Sequence, residues 1–174
     1  MRRFLLICLL LVPALASAQF FGVYSGSVGP GFEITDHALG YSFKLPNNQW
    51  FINANDKRVS LNHRVYHDAF VSLQKSWAQS RDLQKSYDKR KASIQKHLPE
   101  ASFIDDAVAI TVSGQPALRM IYEDPISQKY IFEASFLLDK DVYVLTGSSK
   151  KRTFRKLRDD FDKMVAGIVL IKKD

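Results

Sequence analysis

SFIDDAVAITVSGQPALRMIYEDPISQKYIFEASFLLDKDVYVLTG, residues 102–147, is the stretch that decides the fold of this chain. It contains four apolar segments, at 103–112, 117–123, 130–138 and 142–146. In the first, Val108, Ile110 and Val112 alternate with smaller residues, a period typical of a β-strand. Turn-forming residues separate the segments, and Gly147 predicts the end of the last one. Connections this short join antiparallel neighbours, because a parallel return needs a crossover of about a dozen residues or more. The stretch therefore predicts an antiparallel meander.

The flanking sequence adds further strands and two helices. Alternation predicts a strand at 41–45 that resumes at 50–52, and another at 59–66, so that two or three strands precede the first helix. Helical spacing of apolar residues predicts a helix within 73–98, with 80–98 as its clearest part and Ser72, Ser76 or Ser80 as its N-cap. A second apolar stripe predicts a helix along 154–168 that ends near Gly167, followed by a short buried tail at 169–171. The expected fold class is α+β, with an antiparallel sheet of about six to seven strands flanked by helices on both faces.

The beginning of the chain has the three parts of a secretory signal peptide. Two arginines precede an apolar run at 4–12, and Ala16-Ser17-Ala18 follows it, which predicts a signal peptide at 1–18 with cleavage after Ala18. The run is too short to cross a bilayer core of about 30 Å as a helix. Cys8 lies inside the run and not at the cleavage point, so no lipoprotein signal is predicted. We expect a periplasmic or secreted protein without a transmembrane segment after cleavage.

Composition limits the chemistry of the exported chain. The sequence has 174 residues and a formal net charge of +7, and Cys8 is its single cysteine. Once the signal peptide is removed, the chain can form no disulfide and offers neither a thiolate ligand nor a cysteine nucleophile. The length suits one domain, which we expect at 40–174.

Residues 19–39 separate the predicted signal peptide from that domain. Glycines at 22, 26, 29 and 31 alternate with aromatic residues, and 19–32 carries no charge. Glycine raises the conformational entropy lost on ordering, so this Gly/aromatic-rich leader is predicted to be a flexible tether. The alternative interpretation is an aromatic segment that inserts into a partner.

Three segments carry a resemblance to a known family. They are GYSFKLPNNQW at 40–50, VSGQPA at 112–117, and VYVLTG at 142–147 with the helix that follows it. Together they resemble the Mog/PsbP-like fold family, which includes PsbP-like and DcrB-like bacterial envelope proteins, over residues 40–171. The resemblance implies an antiparallel sheet covered by helices on both faces. It also implies a non-catalytic accessory or binding protein, and it brings no catalytic residues and no cofactor.

Residues that could carry chemistry do not converge in the sequence. Four residues of strand separate His63 from His67 by about 13 Å, too far for one metal ion beside Asp68. The carboxylates cluster at predicted strand ends and turns, where Asp is common for backbone reasons. Neither a Gly-x-Ser-x-Gly elbow nor a phosphate-binding glycine loop is present. The sequence predicts no enzyme, no metal site and no cofactor.

The second helix begins with a run of cations that includes Lys150, Lys151, Arg152 and Arg155. Cations at a helix start oppose its dipole, at about 0.3 to 1 kcal/mol each. One interpretation is a solvated face tied by the i, i+4 pairs Arg155–Asp159, Lys156–Asp160 and Arg158–Asp162. The other is a surface for an anionic partner, such as a lipid headgroup or a polyanion.

Two functional hypotheses follow. The first is an exported non-catalytic domain that associates with an envelope protein partner. The second is a surface module that binds anionic lipid or polyanion through the basic helix start. Nucleic acid is not a predicted partner, because export separates the protein from most of it and no stacking aromatics are interleaved with these cations.

Overall fold

The fold comes from a computed structural model, which describes residues 26–29, 33–37, 40–52, 59–76, 81–138 and 140–171. The predicted signal peptide and its cleavage point lie outside these ranges. The elements in chain order are β1 Gly26–Gly29, β2 Glu33–Asp36, β3 Tyr41–Lys44, β4 Trp50–Ile52, β5 Val59–His63, β6 Phe70–Lys75, α1 Leu83–His97, β7 Ser102–Val112, β8 Gln115–Asp124, β9 Lys129–Leu138, β10 Asp141–Lys150, α2 Lys151–Ala166 and β11 Ile168–Leu170.

The larger sheet has seven strands in the order β4-β5-β6-β10-β9-β8-β7. All of its neighbouring strands are antiparallel, and the predicted four-strand meander forms one half of it. The α+β class and the antiparallel sheet are therefore confirmed.

Gly147 does not end the fourth strand of the meander, so that prediction was wrong. β10 runs on to Lys150. A Cβ atom at Gly147 would lie 2.8 Å from the ring of Phe161, which is fully buried. The glycine is needed because α2 approaches the sheet closely at this point, not because the chain turns.

A second, smaller sheet has the order β1-β2-β3-β11 and was not predicted. It includes two segments of the region that we interpreted as a flexible leader. Ile34 of β2 is fully buried and lies opposite Phe43 of β3. For residues 26–29 and 33–36 the tether interpretation is wrong, because they pair as strands.

β11 forms the last strand of the smaller sheet. Its Ile168 is buried, but Val169 is 53% exposed and Leu170 and Ile171 are only partly buried, so the prediction of a buried tail at 169–171 was wrong. Gly167 ends α2 as predicted. A side chain at Gly167 would come within 3.1 Å of the carbonyl oxygen of Lys44, so its absence lets β3 pass the helix end.

The first helix is shorter than predicted at its start. Residues 73–75 belong to β6, and α1 begins at Leu83 after Asp82, whose carboxylate accepts a hydrogen bond from Lys85 N at 2.9 Å. The N-cap is thus an aspartate and not one of the three candidate serines. Trp77 and Ser80 lie outside the described residues.

Two hydrophobic clusters form the core. The larger contains the α2 side chains Phe154, Leu157, Phe161 and Met164, together with residues from both sheets. The smaller contains Tyr87 and Ile94 of α1 with two residues of β8. Successive residues of β8 alternate between the clusters: Met120 and Tyr122 join the smaller, whereas Ala117 and Ile121 join the larger.

Candidate functional site

The cations singled out in the sequence lie together on the surface. Lys150 is the N-cap of α2, and its side chain makes no capping hydrogen bond. Lys150, Lys151, Arg152 and Arg155 are all exposed. The first turn of α2 contains no acidic residue, so the helix itself supplies nothing to offset its dipole.

Asp68 provides the missing negative charge from the loop before β6. Its Oδ2 atom accepts a hydrogen bond from Lys150 N at 2.7 Å, and its Oδ1 atom accepts one from the Thr153 hydroxyl at 3.3 Å. The carboxylate therefore caps α2 from a distant part of the chain. Sequence reasoning considered Asp68 only beside the histidines, because nothing local relates it to a helix 82 residues later.

Further cations extend the same surface. Lys129 of β9 lies directly opposite Lys150 of β10, and the ammonium of Lys156 sits 5.5 Å from the centre of the Tyr66 ring. Like charges at opposite positions of paired strands destabilise a sheet. We name the surface formed by Lys129, Lys150, Lys151, Arg152, Arg155 and Lys156 the basic end.

Lys151 shows how this surface is partly balanced. Its ammonium lies 3.8 Å from Glu123 Oε2 and 5.2 Å from the centre of the Tyr130 ring. A hydrogen bond with Tyr130 and, second, the charge of Glu123 raise the pKa of Lys151. The side chain therefore stays protonated while half of it is open to solvent.

The three predicted i, i+4 ion pairs are absent from the ion pairs of the described residues, so that part of the solvated-face interpretation was wrong. Arg158 instead contacts Asp105 at 3.0 Å, and Asp162 contacts Arg119 at 3.0 Å. Asp160 accepts hydrogen bonds from Trp50 Nε1 at 2.8 Å and Asn47 Nδ2 at 3.0 Å. Asp160 and Asp162 thus bind across the molecule and not along α2, and the cations of its first two turns face solvent.

The histidines occupy different environments. His63 is buried against Trp50, with ring centres 4.9 Å apart, and its Nδ1 atom accepts hydrogen bonds from the backbone N–H groups of Val65 and Tyr66. Burial lowers the pKa of His63, which favours the neutral ring that these bonds require. His67 is exposed. The described residues contain no group of three or more His, Cys, Asp or Glu side chains placed to hold a metal ion.

Several of the carboxylates considered in the sequence have structural partners. Asp105 binds Arg119 and Arg158, and Asp141 binds Lys75. Asp124 accepts hydrogen bonds from the turn that follows it, from Ile126 N at 2.9 Å and the Ser127 hydroxyl at 2.6 Å.

Asp106 joins a small network beneath α1. It accepts hydrogen bonds from Lys91 and from the Tyr87 hydroxyl, the latter at 2.7 Å. The bond from Lys91 and then that from Tyr87 lower the pKa of Asp106.

Among the described residues, the ion pair with the most deeply buried carboxylate was not predicted from the sequence. Glu133 of β9 is fully buried and binds Arg90 of α1 through two hydrogen bonds of 2.6 and 3.0 Å. The Tyr122 hydroxyl donates a third at 3.3 Å. An isolated carboxylate in this position would be strongly destabilising, so the pair fixes how α1 sits on β9.

Within the described ranges, neither helix combines the length and the apolar composition that a bilayer crossing needs.

No protein-family model matches the chain, and no curated protein matches its sequence. Solved structures do match its fold. The cyanobacterial PsbP protein CyanoP from Synechocystis sp. PCC 6803 aligns with a TM-score of 0.58 at 13% identity, over 83% of this chain and 96% of that one. LpqN of Mycobacterium tuberculosis, described as involved in cell envelope biogenesis, aligns with a TM-score of 0.52 at 14% identity, over 76% and 84%. The Saccharomyces cerevisiae Ran-binding protein Mog1p aligns with a TM-score of 0.50 at 9% identity, over 80% and 95%. The chain therefore has a Mog/PsbP-like fold.

Proposed function

We propose that this protein is an exported, non-catalytic accessory domain that binds a protein partner in the cell envelope. The observation that carries the proposal is the fold likeness to LpqN, whose description places it in cell envelope biogenesis. The signal-peptide pattern at 1–18 supports export. The structural partners of Asp105, Asp124 and Glu133 support a role that needs no catalytic side chain.

We also infer that α1 and α2 cover opposite faces of the larger sheet. Successive residues of a strand point to opposite faces. Met120 and Tyr122 pack in the cluster of α1, whereas Ile121 packs in the cluster of α2. With both faces covered, the exposed edges and ends of the sheet remain for partners.

The test combines localisation with affinity capture. A C-terminally tagged chain is expressed in its native envelope, crosslinked and purified, and a chain lacking residues 2–18 serves as the control. We expect the full chain to be exported and to retain one stoichiometric protein partner, which the control does not capture. Retention of both chains in the cytoplasm, or turnover in a panel of envelope substrates, would contradict the proposal.

A second candidate function is binding of an anionic lipid or polyanion by the basic end. The observation that favours it is Lys129 opposite Lys150, a like-charge pair that lies beside the exposed cations of α2, although Asp124 of β8 lies on the other side of Lys129. Such a surface attracts an anionic partner through its summed field.

Vesicles with and without anionic lipid distinguish this second function. The variant Lys150→Gln, Lys151→Gln, Arg152→Gln removes three charges from the basic end. A matched control, Lys85→Gln, Lys89→Gln, Lys96→Gln, removes three from the exposed side of α1. We expect binding that weakens with salt and is lost only in the first variant. Equal binding by both variants would rule out the basic end as the site.

A further inference from the structure

The outer edge of β7 is closed along one half and open along the other. β7 is the last strand of the larger sheet, and β8 is its only partner among the described strands. Its register with β8 shifts between Phe103 and Val108, which marks a bulge. Ala107 in this bulge has φ +51°, and its N–H donates to the Tyr87 hydroxyl at 2.6 Å. Lys91 of α1 also forms an ion pair with Asp106. Side chains of α1 therefore cover the edge of β7 upstream of Val108.

Downstream of the bulge the edge is regular. Residues 108–112, which we name the open edge, pair one to one with 115–119 of β8. The connecting Ser113 and Gly114 have φ +51° and +78°, the pattern of a two-residue type I′ turn. In such a hairpin Val112 and Gln115 exchange backbone hydrogen bonds. Along the open edge, every second residue of β7 therefore forms backbone hydrogen bonds with β8.

This pattern determines which backbone groups face outward. Val108, Ile110 and Val112 bond to β8, so the N–H and C=O groups of Ala109 and Thr111 point away from it. Pro116, opposite Thr111, confirms the phase because it has no N–H to donate. Among the residues that the structure describes, none bonds to the outward groups of Ala109 or Thr111.

The open edge also lacks the features that usually protect a sheet edge. Its sequence, VAITV, has no charge and no proline, and its residues favour β-structure. Ala109 and Thr111 are exposed. Proteins usually block such an edge with lysine, proline, a bulge or a covering segment. Here the bulge and α1 block only the upstream half.

We propose that the open edge pairs with the open edge of a second copy of this chain, in antiparallel register about a two-fold axis at Ile110. In that register Ala109 lies opposite Thr111 of the second copy, and Thr111 lies opposite its Ala109. The four outward groups of each copy then form four backbone hydrogen bonds. The two larger sheets then form one sheet of fourteen strands. This dimer is a property that the function proposed above does not include.

The position of the basic end is compatible with a second copy in this orientation. The register of β7 to β10 places Ser102, Glu123, Lys129 and Lys150 at one end of the strands. Seven residues of β8 separate the row of Ile110 from the row of Lys129, so the axis is about 23 Å from the basic end, well beyond a Debye length of about 8 Å. Antiparallel pairing points the two basic ends in opposite directions, so the cations of the basic ends do not oppose association at this edge, which itself carries no charge.

Sedimentation velocity of the purified protein tests the proposal. We expect a concentration-dependent dimer in the wild type. Thr111→Lys should raise its dissociation constant at least about tenfold, a loss of about 1.4 kcal/mol. Ser102→Lys adds the same charge to the same strand upstream of the bulge and should leave the dimer unchanged. A monomer at concentrations up to about 1 mM, or equal dimerisation of both variants, would overturn the proposal.

Disulfide trapping tests the register and does not depend on how the lysine variants fold. Two chains that both carry Cys8→Ser receive either Ala109→Cys or Thr111→Cys, and they are mixed under mild oxidation. Directly opposite Cα atoms lie about 5.5 Å apart, which a disulfide can span. The mixed pair should crosslink faster than Ala109→Cys mixed with Ser102→Cys. Equal rates in the two mixtures would overturn the register and with it the proposed dimer.

Discussion

Single side chains in this molecule are constrained by contacts between distant parts of the sequence. Gly147 and Phe161 show this, because the ring fills the space that any larger residue at 147 would need. Gly147→Ala should lower the free energy of unfolding by about 1 to 3 kcal/mol through overpacking. Urea unfolding at equilibrium measures the change.

Two companion variants make this prediction specific. Phe161→Leu in the Gly147→Ala background should recover part of the loss, because contacting residues are energetically coupled. Ser149→Ala, two residues along β10, removes a buried hydroxyl that has no hydrogen-bond partner in the structure and should cost much less. A Gly147→Ala protein as stable as wild type would show that α2 can move away from the sheet freely.

His63 should make stability depend on pH. Burial is the main cause that lowers the pKa of His63 in the folded protein. The charge of Asp160 raises this pKa in part, and the interaction with His67 lowers it further. The folded state thus binds fewer protons than the unfolded state below the ordinary value of about 6.5. Its contribution to stability is complete above that value and is lost as the pH falls through the lowered pKa.

Urea unfolding at about pH 7.5 and about pH 5.5 checks this, because the two values bracket the ordinary pKa of histidine. We expect the wild type to be less stable at the lower pH. His63→Phe keeps a ring against Trp50 but should remove most of this difference, whereas His67→Gln should retain most of it. An unchanged pH dependence in His63→Phe would assign it to other groups.

At the scale of the element, α2 depends on a cap that its own sequence lacks. Asp68→Ala removes both hydrogen bonds to the helix start and should cost about 0.5 to 2 kcal/mol. Asp68→Asn keeps a hydrogen-bond acceptor without the charge, so its free energy of unfolding should lie between those of Asp68→Ala and the wild type. Urea unfolding, with Asp159→Ala as a control on the exposed side of the same helix, measures the series. If Asp68→Ala and Asp159→Ala lose the same amount of stability, the loss results from removing a negative charge near α2 and not from removing the cap.

The sequence predicted elements whose signal is local. The meander and the stripe of α2 follow from periodicity, and β4 was predicted with its observed bounds. The start of α1 was wrong because apolar residues of β6 and of the helix form one continuous pattern across 73–98. The smaller sheet was missed because β1 and β2 are short and rich in glycine, and their partners lie close in space but not in sequence.

The candidate site was predicted only in part. The cations of the basic end that belong to 150–156 are visible as a run in the sequence, and all of these are exposed. Lys129 and Asp68 were missed because strand register and a loop bring them to α2. Ion pairs were assigned to the helix itself because i, i+4 spacing is the only partner rule that a sequence offers.

At the scale of the whole molecule, the smaller sheet brings together the first and the last described segments of the chain. β3 pairs on one side with β2 and on the other with β11, so early and late segments share hydrogen bonds. The domain boundary that we predicted at residue 40 would cut through this sheet. Chains that begin at residues 26, 33 and 40 therefore test where the domain starts.

The chain from residue 26 should unfold with the stability of the full protein, because it keeps every described strand. The chain from residue 33 loses β1 and its pairing with β2, and should be modestly weaker. The chain from residue 40 also loses Ile34, whose side chain is fully buried. Removing a buried side chain of this size costs about 2 to 5 kcal/mol, a large part of a typical folding free energy of about 5 to 15 kcal/mol. We expect that chain to be marginal or unfolded by circular dichroism. If it is instead as stable as the chain from residue 26, β2 contributes nothing to the fold and the domain begins at residue 40.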